Sequence, residues 1–358
     1  MDDRASVAIV GSGWWATANH LPALVKRADV QVEAICDIDE AKARAAADFF
    51  NVNSTYTDLA AMLRERQLDA AVVATNHAAH YDAARQCLEA GLHVFIEKPM
   101  TLLATEARHL LRLAEDGGKQ IVMGYNHTYR PCTVRARELI GSGALGAIQY
   151  LDAQFSRPVS SLLAGVDNVT IGNLHRPGDV YGDPARSGGG HGQLQLTHMA
   201  GILFYTTETR VRRVGARMAH HGLAVDLVVA CSVEFENGAL GTVGGTGHVS
   251  GGGQSTRLTI FCEKGWLDID DTAGTLHVER EDGAKEFVDS GSDADEAEKR
   301  YFYGPIHNFA DVITGVAENH CSGYIGWRAV ELLDAAYRSA KRGGSAVTLD
   351  ELYEDEQS

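Results

Sequence analysis

The first 125 residues alternate between two kinds of segment, and this alternation limits the fold more than any other feature of the chain. Short apolar runs rich in β-branched residues read as strands: SVAIVGSG (6–13), VQVEAICD (30–37), DAAVVAT (69–75), HVFIEKP (93–99) and QIVMGYN (120–126). Stretches with helical spacing lie at 17–28, 39–50, 55–66, 80–91 and 101–118. Thr57 is expected to cap the 55–66 helix, and Gly91 to stop the 80–91 helix. Apolar strands interleaved with helices predict a parallel sheet covered on both faces.

After residue 126 the texture changes. A helix and a glycine-rich turn are expected over 133–146, a strand over 147–157, and a helix over 191–208. Strand-like segments then follow one another at 210–219, 226–236, 239–249, 255–262, 265–270 and 274–280, with tight turns at ENG (236–238) and EKG (263–265). Consecutive strands without helices imply antiparallel pairing. His220 and His221 are expected on opposite faces of a strand. Residues 158–187 read as a loop long enough to be functional or disordered. Helices over 303–315 and 326–343 close the pattern. A second glycine-rich stretch, GGTGHVSGGG (244–253), lacks the Lys-Ser/Thr ending of a phosphate loop and reads as a strand end plus a flexible loop.

Charge narrows the partners. The chain has 32 Lys and Arg against 48 Asp and Glu, a formal net charge of −16, which disfavours nucleic acid. The acidic runs 289–298 and 349–356 are expected to be solvated surface or tail. No leader-like or membrane-spanning apolar segment stands out. The six cysteines are scattered without a CxxC spacing, which suits reduced, buried thiols and a cytoplasmic chain.

The residues that carry chemistry sit at strand ends. Gly11-Ser12-Gly13-Trp14-Trp15-Ala16 follows a strand and opens a helix. There the first Gly permits the turn, the second lets backbone approach a pyrophosphate, and Ala16 allows close helix packing. The helix N-terminus supplies free N–H donors for phosphate. Asp37 ends the second strand, where a carboxylate accepts from both ribose hydroxyls and repels a 2′-phosphate. Asp39 adds to that repulsion, so NAD is expected over NADP. Trp14 and Trp15 either pack against the second domain or line the nicotinamide pocket. Glu97-Lys98-Pro99 ends another parallel strand, and a desolvated Lys there can serve as a proton donor. In Gly188-Gly189-Gly190-His191-Gly192-Gln193-Leu194-Gln195-Leu196-Thr197-His198, Gln195 and His198 share a helix face. A His is a natural acid or base for alcohol–ketone chemistry. His77 and His80 lack a further ligand at metal spacing, so no metal is expected.

Taken together these segments resemble the glucose–fructose oxidoreductase / inositol dehydrogenase (Gfo/Idh/MocA) family. The resemblance runs through VAIVGSGWWATANHLPAL, VVATNHAAHYDAARQCLEAGLHVFIEKPM, GYNHTYRP, ELIGSGALGAI and the SGGG…H segment. It implies an α/β fold: an N-terminal Rossmann domain (1–125) and a C-terminal α+β domain (126–358) with a large, mostly antiparallel open sheet, in a homodimer or homotetramer. It also implies Lys98 and His198 as catalytic residues. Thr75, Asn76 and His80 would lie near the nicotinamide ribose, and Asn126 near the reacting centre. The family's pattern carries an Asp four residues before the helical His, and here Leu194 stands at that position. Gln195 can hold a hydroxyl but cannot carry a proton away.

The expected activity is hydride transfer between NAD and a ring hydroxyl or ketone of a sugar, cyclitol or glycoside. The cofactor set is Gly11, Gly13, Trp14, Trp15, Asp37, Thr75, Asn76, His80, Glu97, Lys98 and Asn126. The substrate set is Lys98, Asn126, Arg157, His175, Tyr181, Gln195 and His198, with Arg176 and Asp183 in the same loop wall. Two rival expectations are retained NAD used as an internal redox catalyst for elimination or epimerisation, and a non-enzymatic dinucleotide or sugar sensor.

Overall fold

The computed structural model describes residues 4–166, 174–250, 253–291 and 301–354. The early apolar runs become β1 (Ala5–Val10), β2 (Val30–Cys36), β4 (Ala70–Val73), β5 (His93–Ile96) and β6 (Ile121–Met123), with a short β3 (Thr55–Tyr56). They form one parallel six-stranded sheet in the order β3-β2-β1-β4-β5-β6. Alternate residues bury opposite faces. Val7, Ile9 and Val72 face one cluster, and Ala8, Val10, Ala71 and Val73 face the other. Both faces are dry, so these strands read as unbroken apolar runs.

Helices α1 (Leu21–Leu24), α2 (Glu40–Phe50), α3 (Leu59–Glu65), α4 (His80–Glu89) and α5 (Ala104–Gly117) connect the strands. Two details depart from expectation. The 17–28 helix is shorter and begins as a wide π-type turn over Ala16–His20. The 55–66 segment splits into β3 and α3, because Asp58, not Thr57, accepts from the Ala61 N–H as cap.

The second layer begins with α6 (Pro131–Gly141) and β7 (Ile148–Ser156). The 158–187 segment carries two short helices, α7 (Ser160–Leu163) and α8 (Pro184–Ser187), and its residues 167–173 lie outside the described ones. A π-type turn over Gly192–Leu196 leads into α9 (Thr197–Thr207). Helix α9 is buried on every side but its ends, which is why it shows no polar stripe. Strands β8 (Val211–Ala219), β9 (Val228–Phe235), β10 (Leu240–Thr246), β11 (Ser255–Cys262), β12 (Gly265–Asp270), β13 (Thr275–Arg280), β14 (Lys285–Asp289) and β15 (Val347–Thr348) join β7 in a nine-stranded sheet. Only β7–β10 is parallel; the other pairs are antiparallel.

Helices α10 (Gly304–Ile313), α11 (Gly323–Lys341) and α12 (Leu349–Tyr353) end the fold. Ile306, Phe309 and Ala310 of α10 pack on Phe95 and Val122, so the chain returns to the first sheet. The 349–356 run is not simply a solvated tail: Leu349, Leu352 and Tyr353 are buried, and the Tyr353 hydroxyl donates to buried Glu331 (2.6 Å). Asp350 and Glu354 are exposed on a short capped helix, and 355–356 lie outside the described residues. Of the 289–298 run, 292–298 lie outside the described residues, as do 251–252 of the second glycine stretch. His220 and His221 do not alternate on a strand, because β8 ends at Ala219 and His221 adopts a positive φ (48°) in the turn. All six cysteines are buried and free, and no helix among the described residues is long and apolar enough to cross a membrane.

The Gly188–Gly192 run is explained by packing. The buried Asp226 carboxylate accepts from the N–H groups of Gly190 (2.7 Å) and Gly192 (2.8 Å) and from the Tyr337 hydroxyl (2.7 Å). A Cβ on Gly190 would lie 1.9 Å from the Asp226 carbonyl oxygen, and one on Gly189 2.2 Å from the Tyr337 hydroxyl. A Gly190→Ala substitution is therefore expected to lower stability by about 3 kcal/mol or more, because a rigid backbone oxygen must move. The denaturant midpoint measures it.

Candidate active site

The switch point of the first sheet lies between β1 and β4, and ligands of such sheets bind beyond the strand C-termini there. Gly11 follows β1 with φ 91°, and a Cβ on it would meet the Ala74 carbonyl at 2.6 Å. Only Gly allows β1 and β4 to approach so closely at their ends. Gly13 has nothing within 4 Å of its Cβ position, so its backbone faces open space. A cleft of about 500 Å³ starts here and runs past Asp37, Thr75 and Asn76.

Asp37 ties that turn to β2. One carboxylate oxygen accepts from the Ser12 N–H (2.8 Å) and hydroxyl (3.0 Å), the other from the Asp39 N–H (3.0 Å). Asp39, not Asp37, caps α2, which leaves the remaining lone pairs of Asp37 toward the cleft. Glycine cradle, open backbone and carboxylate together fit an adenosine diphosphate moiety.

A second cleft of about 400 Å³ continues from the first, sharing Trp14, Trp15, Thr75, His77 and Tyr181. Glu97 and Lys98 end β5 on its wall. Buried Glu97 accepts from the Trp15 indole N–H (2.9 Å), meets His20 Nε2 (2.9 Å), and accepts from the Lys98 N–H (3.1 Å). Burial alone would raise its carboxyl, but the His20 hydrogen bond and charge, with Lys98, hold it below its ordinary value.

The Lys98 side chain is half-buried on the cleft wall, and its ammonium donates to the Leu194 carbonyl (3.1 Å). Burial pulls its pKa down to about 8, against the opposing pull of Glu97. The π-type turn over Gly192–Leu196 presents that carbonyl, as such turns break the regular hydrogen-bond ladder. Thus where a carboxylate is missing at Leu194, a backbone oxygen receives the lysine.

His198 faces the same cleft, stacked on Phe155 (5.6 Å, 14°) and edge-on to His127 (5.0 Å). Burial, then the charges of Lys98, His127 and Arg157, hold it well below its ordinary pKa, so it is neutral. Its Nδ1 is buried and makes no hydrogen bond among the described residues. Asn126, Arg157, Tyr181 and Gln195 complete the wall.

Two expected site residues lie elsewhere. His175 points to the surface, its Nε2 3.3 Å from the Lys42 carbonyl, and lines neither cleft, because its loop folds over α2. Asp183 caps α8 by accepting from the Ala185 N–H. Arg176 lines the dinucleotide cleft instead of the second one. His80 is held through Nδ1 by the Pro99 carbonyl (2.7 Å), and His77 by that of Ser187 (2.9 Å). Among the described residues no group of three His, Cys, Asp or Glu could hold a metal.

Sequence reasoning missed the aromatic wall of Phe155, Tyr301 and Phe302, and it missed His127. The His127 Nδ1 lies 2.7 Å from Asp271 Oδ2. The only local signal was the position of His127 next to Asn126; its partner comes from the turn that follows β12.

Two family models match this chain. An oxidoreductase family with an NAD-binding Rossmann fold covers residues 5–125, and the GFO/IDH/MocA C-terminal domain covers 133–268. The chain belongs to the Gfo/Idh/MocA oxidoreductase family. Among curated relatives, D-xylose 1-dehydrogenase (NADP(+)) 2 of Haloferax volcanii is 29% identical over 236 residues, 66% of this chain and 67% of that protein. D-glucoside 3-dehydrogenase of Escherichia coli is 32% identical over 151 residues, 42% of this chain and 43% of that protein. The second match thus spans less than half of the relative's length. The fold is also that of a levoglucosan dehydrogenase solved with NADH and levoglucosan: TM-score 0.79, 18% identity, covering 97% of this chain and 99% of that one.

Lys98 gives this site a testable cost. Its charged form is disfavoured in the fold, so its contribution to stability improves as pH rises from about 8 toward the ordinary lysine value of 10.5. At pH 7 a Lys98→Met protein is expected to be more stable by on the order of 1–2 kcal/mol, measured by urea unfolding.

Proposed function

We propose that this protein is an NAD-dependent dehydrogenase acting on a ring hydroxyl or ketone of a sugar, cyclitol or glycoside. The observation that carries the reading is the half-buried Lys98 ammonium on the wall of a cleft continuous with the dinucleotide cleft. When bound, NAD would take or give the hydride. Gly11, Gly13 and the start of the following helix would hold its pyrophosphate, and Asp37 its adenosine ribose. Lys98 then works as the ammonium that holds the reacting oxygen and stabilises its developing negative charge. His198, kept neutral, hydrogen-bonds the same substrate. Asn126, Arg157 and Gln195 supply further polar contacts, and Phe155, Tyr301 and Phe302 an apolar face for ring C–H groups. The sugar substrates named for the relatives support this class.

A panel of sugars, cyclitols and glycosides, read as NADH absorbance, tests it. At least one member is expected to react, and Lys98→Met to lose about 10³-fold or more in kcat. Because the ammonium is the working form, kcat is expected to fall as pH rises through about 8. Bound NAD with no NADH formed from any member would overturn the reading.

Asp37 supports NAD over NADP through repulsion of a 2′-phosphate. NAD is expected to bind at least ~10-fold tighter than NADP by calorimetry, with the gap narrowed in Asp37→Ser. A homo-oligomer is supported by apolar side chains on the outer face of the second sheet, where Tyr150, Leu240 and Phe261 are exposed on adjoining strands. Sedimentation is expected to show a dimer or tetramer that Phe261→Lys shifts toward monomer.

A further inference from the structure

We propose that His127, oriented by Asp271, is the base that takes the hydroxyl proton in this site. The proposal rests on the dehydrogenase reading. Of Lys98, His127 and His198, which line the second cleft together, only His127 has a carboxylate hydrogen-bonded to its ring.

Lys98 is half-buried, burial pulls its pKa down to about 8, and its ammonium donates to the Leu194 carbonyl and, in the proposed reaction, to the substrate oxygen. Near neutral pH it is already protonated and has no room for a further proton. His198 faces Lys98, His127 and Arg157, stacks on Phe155, and among the described residues has no carboxylate hydrogen-bonded to it. A proton placed there would meet like charge in a dry site.

His127 differs. Its Nδ1 lies 2.7 Å from the Oδ2 of Asp271, a carboxylate only 1% exposed. An ionised carboxylate only accepts, so Nδ1 carries the hydrogen and Nε2 keeps its lone pair. Among the described residues no hydrogen bond occupies Nε2, and the side chain lines the cleft with Lys98, Asn126 and His198. The remaining surroundings hold the dyad in place. Arg130 Nε lies 3.0 Å from the other Asp271 oxygen, and Arg130 covers the Tyr301 ring at 3.9 Å. Tyr301 and Phe155 pack on the His127 ring, both at 5.9 Å, and His198 meets it edge-on. Arg130, Arg157, His198, Lys98 and the Tyr301 phenol are the positive or titratable groups around His127 among the described residues, and Asp271 is the opposing negative one. The pattern of carboxylate, imidazole and open Nε2 fixes the tautomer and steadies the imidazolium once formed.

The step balances. The substrate O–H bond breaks, and its proton moves to His127 Nε2. The electron pair left on oxygen forms the second C–O bond. The C–H bond breaks, and NAD, when bound, would take its electron pair as hydride while the alcohol is oxidised. Lys98 holds the oxygen throughout. Asp271 is a positioning residue, acting through His127.

The first measurement needs no turnover. In ¹⁵N NMR of the NAD-free protein, His127 is expected as the neutral tautomer with the hydrogen on Nδ1. In Asp271→Asn that preference is expected to be lost. The second is kinetic, on the NAD-loaded enzyme with whichever polyol reacts. His127→Gln is expected to lower kcat for oxidation about 10²-fold or more, with KM within a few-fold and NAD affinity unchanged. The limb of the wild-type profile that rises with pH should disappear in the variant. Should Asp271→Asn fail to fold, His127→Gln decides alone. A hydrogen on Nε2 in the wild type would overturn the proposal. So would an active wild type whose kcat and pH profile survive His127→Gln, with the dehydrogenase reading left standing. A wild type that binds NAD but oxidises nothing would overturn that reading and, with it, the base role.

Discussion

A single buried carboxylate organises the centre of this molecule. Glu97 ends a fully buried strand, where an unpaired charge would be prohibitive. It survives by gathering the Trp15 indole, His20 and the Lys98 amide around it. Those contacts fasten the turn after β1 to the end of β5. They also constrain β6, since a Cβ at Gly124 would strike the Glu97 carboxylate at 2.8 Å. The glycine of GYN is thus a consequence of Glu97. Removing Glu97 would free the wide turn at Ala16–His20, and Trp15, which lines both clefts, would lose its anchor, whereas the Trp14 indole donates to the Tyr181 hydroxyl.

From this hub the second layer is registered onto the first. The Lys98 ammonium crosses to the Leu194 carbonyl, and the Asp226 carboxylate fixes the glycine run from which that carbonyl emerges. The lysine is therefore held between the carboxylate of the preceding residue and a carbonyl from a distant turn. Such a position is dry enough to lower its pKa and polar enough to keep it charged near neutrality. A cation in that state stabilises negative charge on a substrate oxygen far better than one in water. The cost of burying it is why the same side chain is expected to weaken the fold and, in the proposed reaction, to serve the chemistry.

The candidate site was legible where function and local backbone coincide. Gly11, Gly13, Asp37, Thr75, Asn76, Glu97 and Lys98 all sit at strand ends, and strand ends can be counted from apolar runs. His198 and Gln195 were legible through helical spacing, even though the turn before them is of π type. His175 was misplaced because a loop offers no periodicity to say where it folds. Thr57 lost its expected role because Asp58 caps better and two residues before it pair as β3. The acidic C-terminal run hid Leu349, Leu352 and Tyr353, whose spacing is too short to register as an amphipathic helix.

The sequence by itself determined the strand–helix alternation, the parallel sheet, the glycine turn with its acidic partner, and the lysine at the end of β5. Each depends on residues within a few positions of one another, and so on periods and turns that local chemistry sets. Tertiary structure alone decided which groups meet across the cleft. It brought Asp271 behind His127, the Leu194 carbonyl onto Lys98, and Asp226 under the glycine run. Those pairs are separated by 144, 96 and 36 residues. No local pattern encodes such meetings, because what joins the partners is the cost of burying a polar group without one.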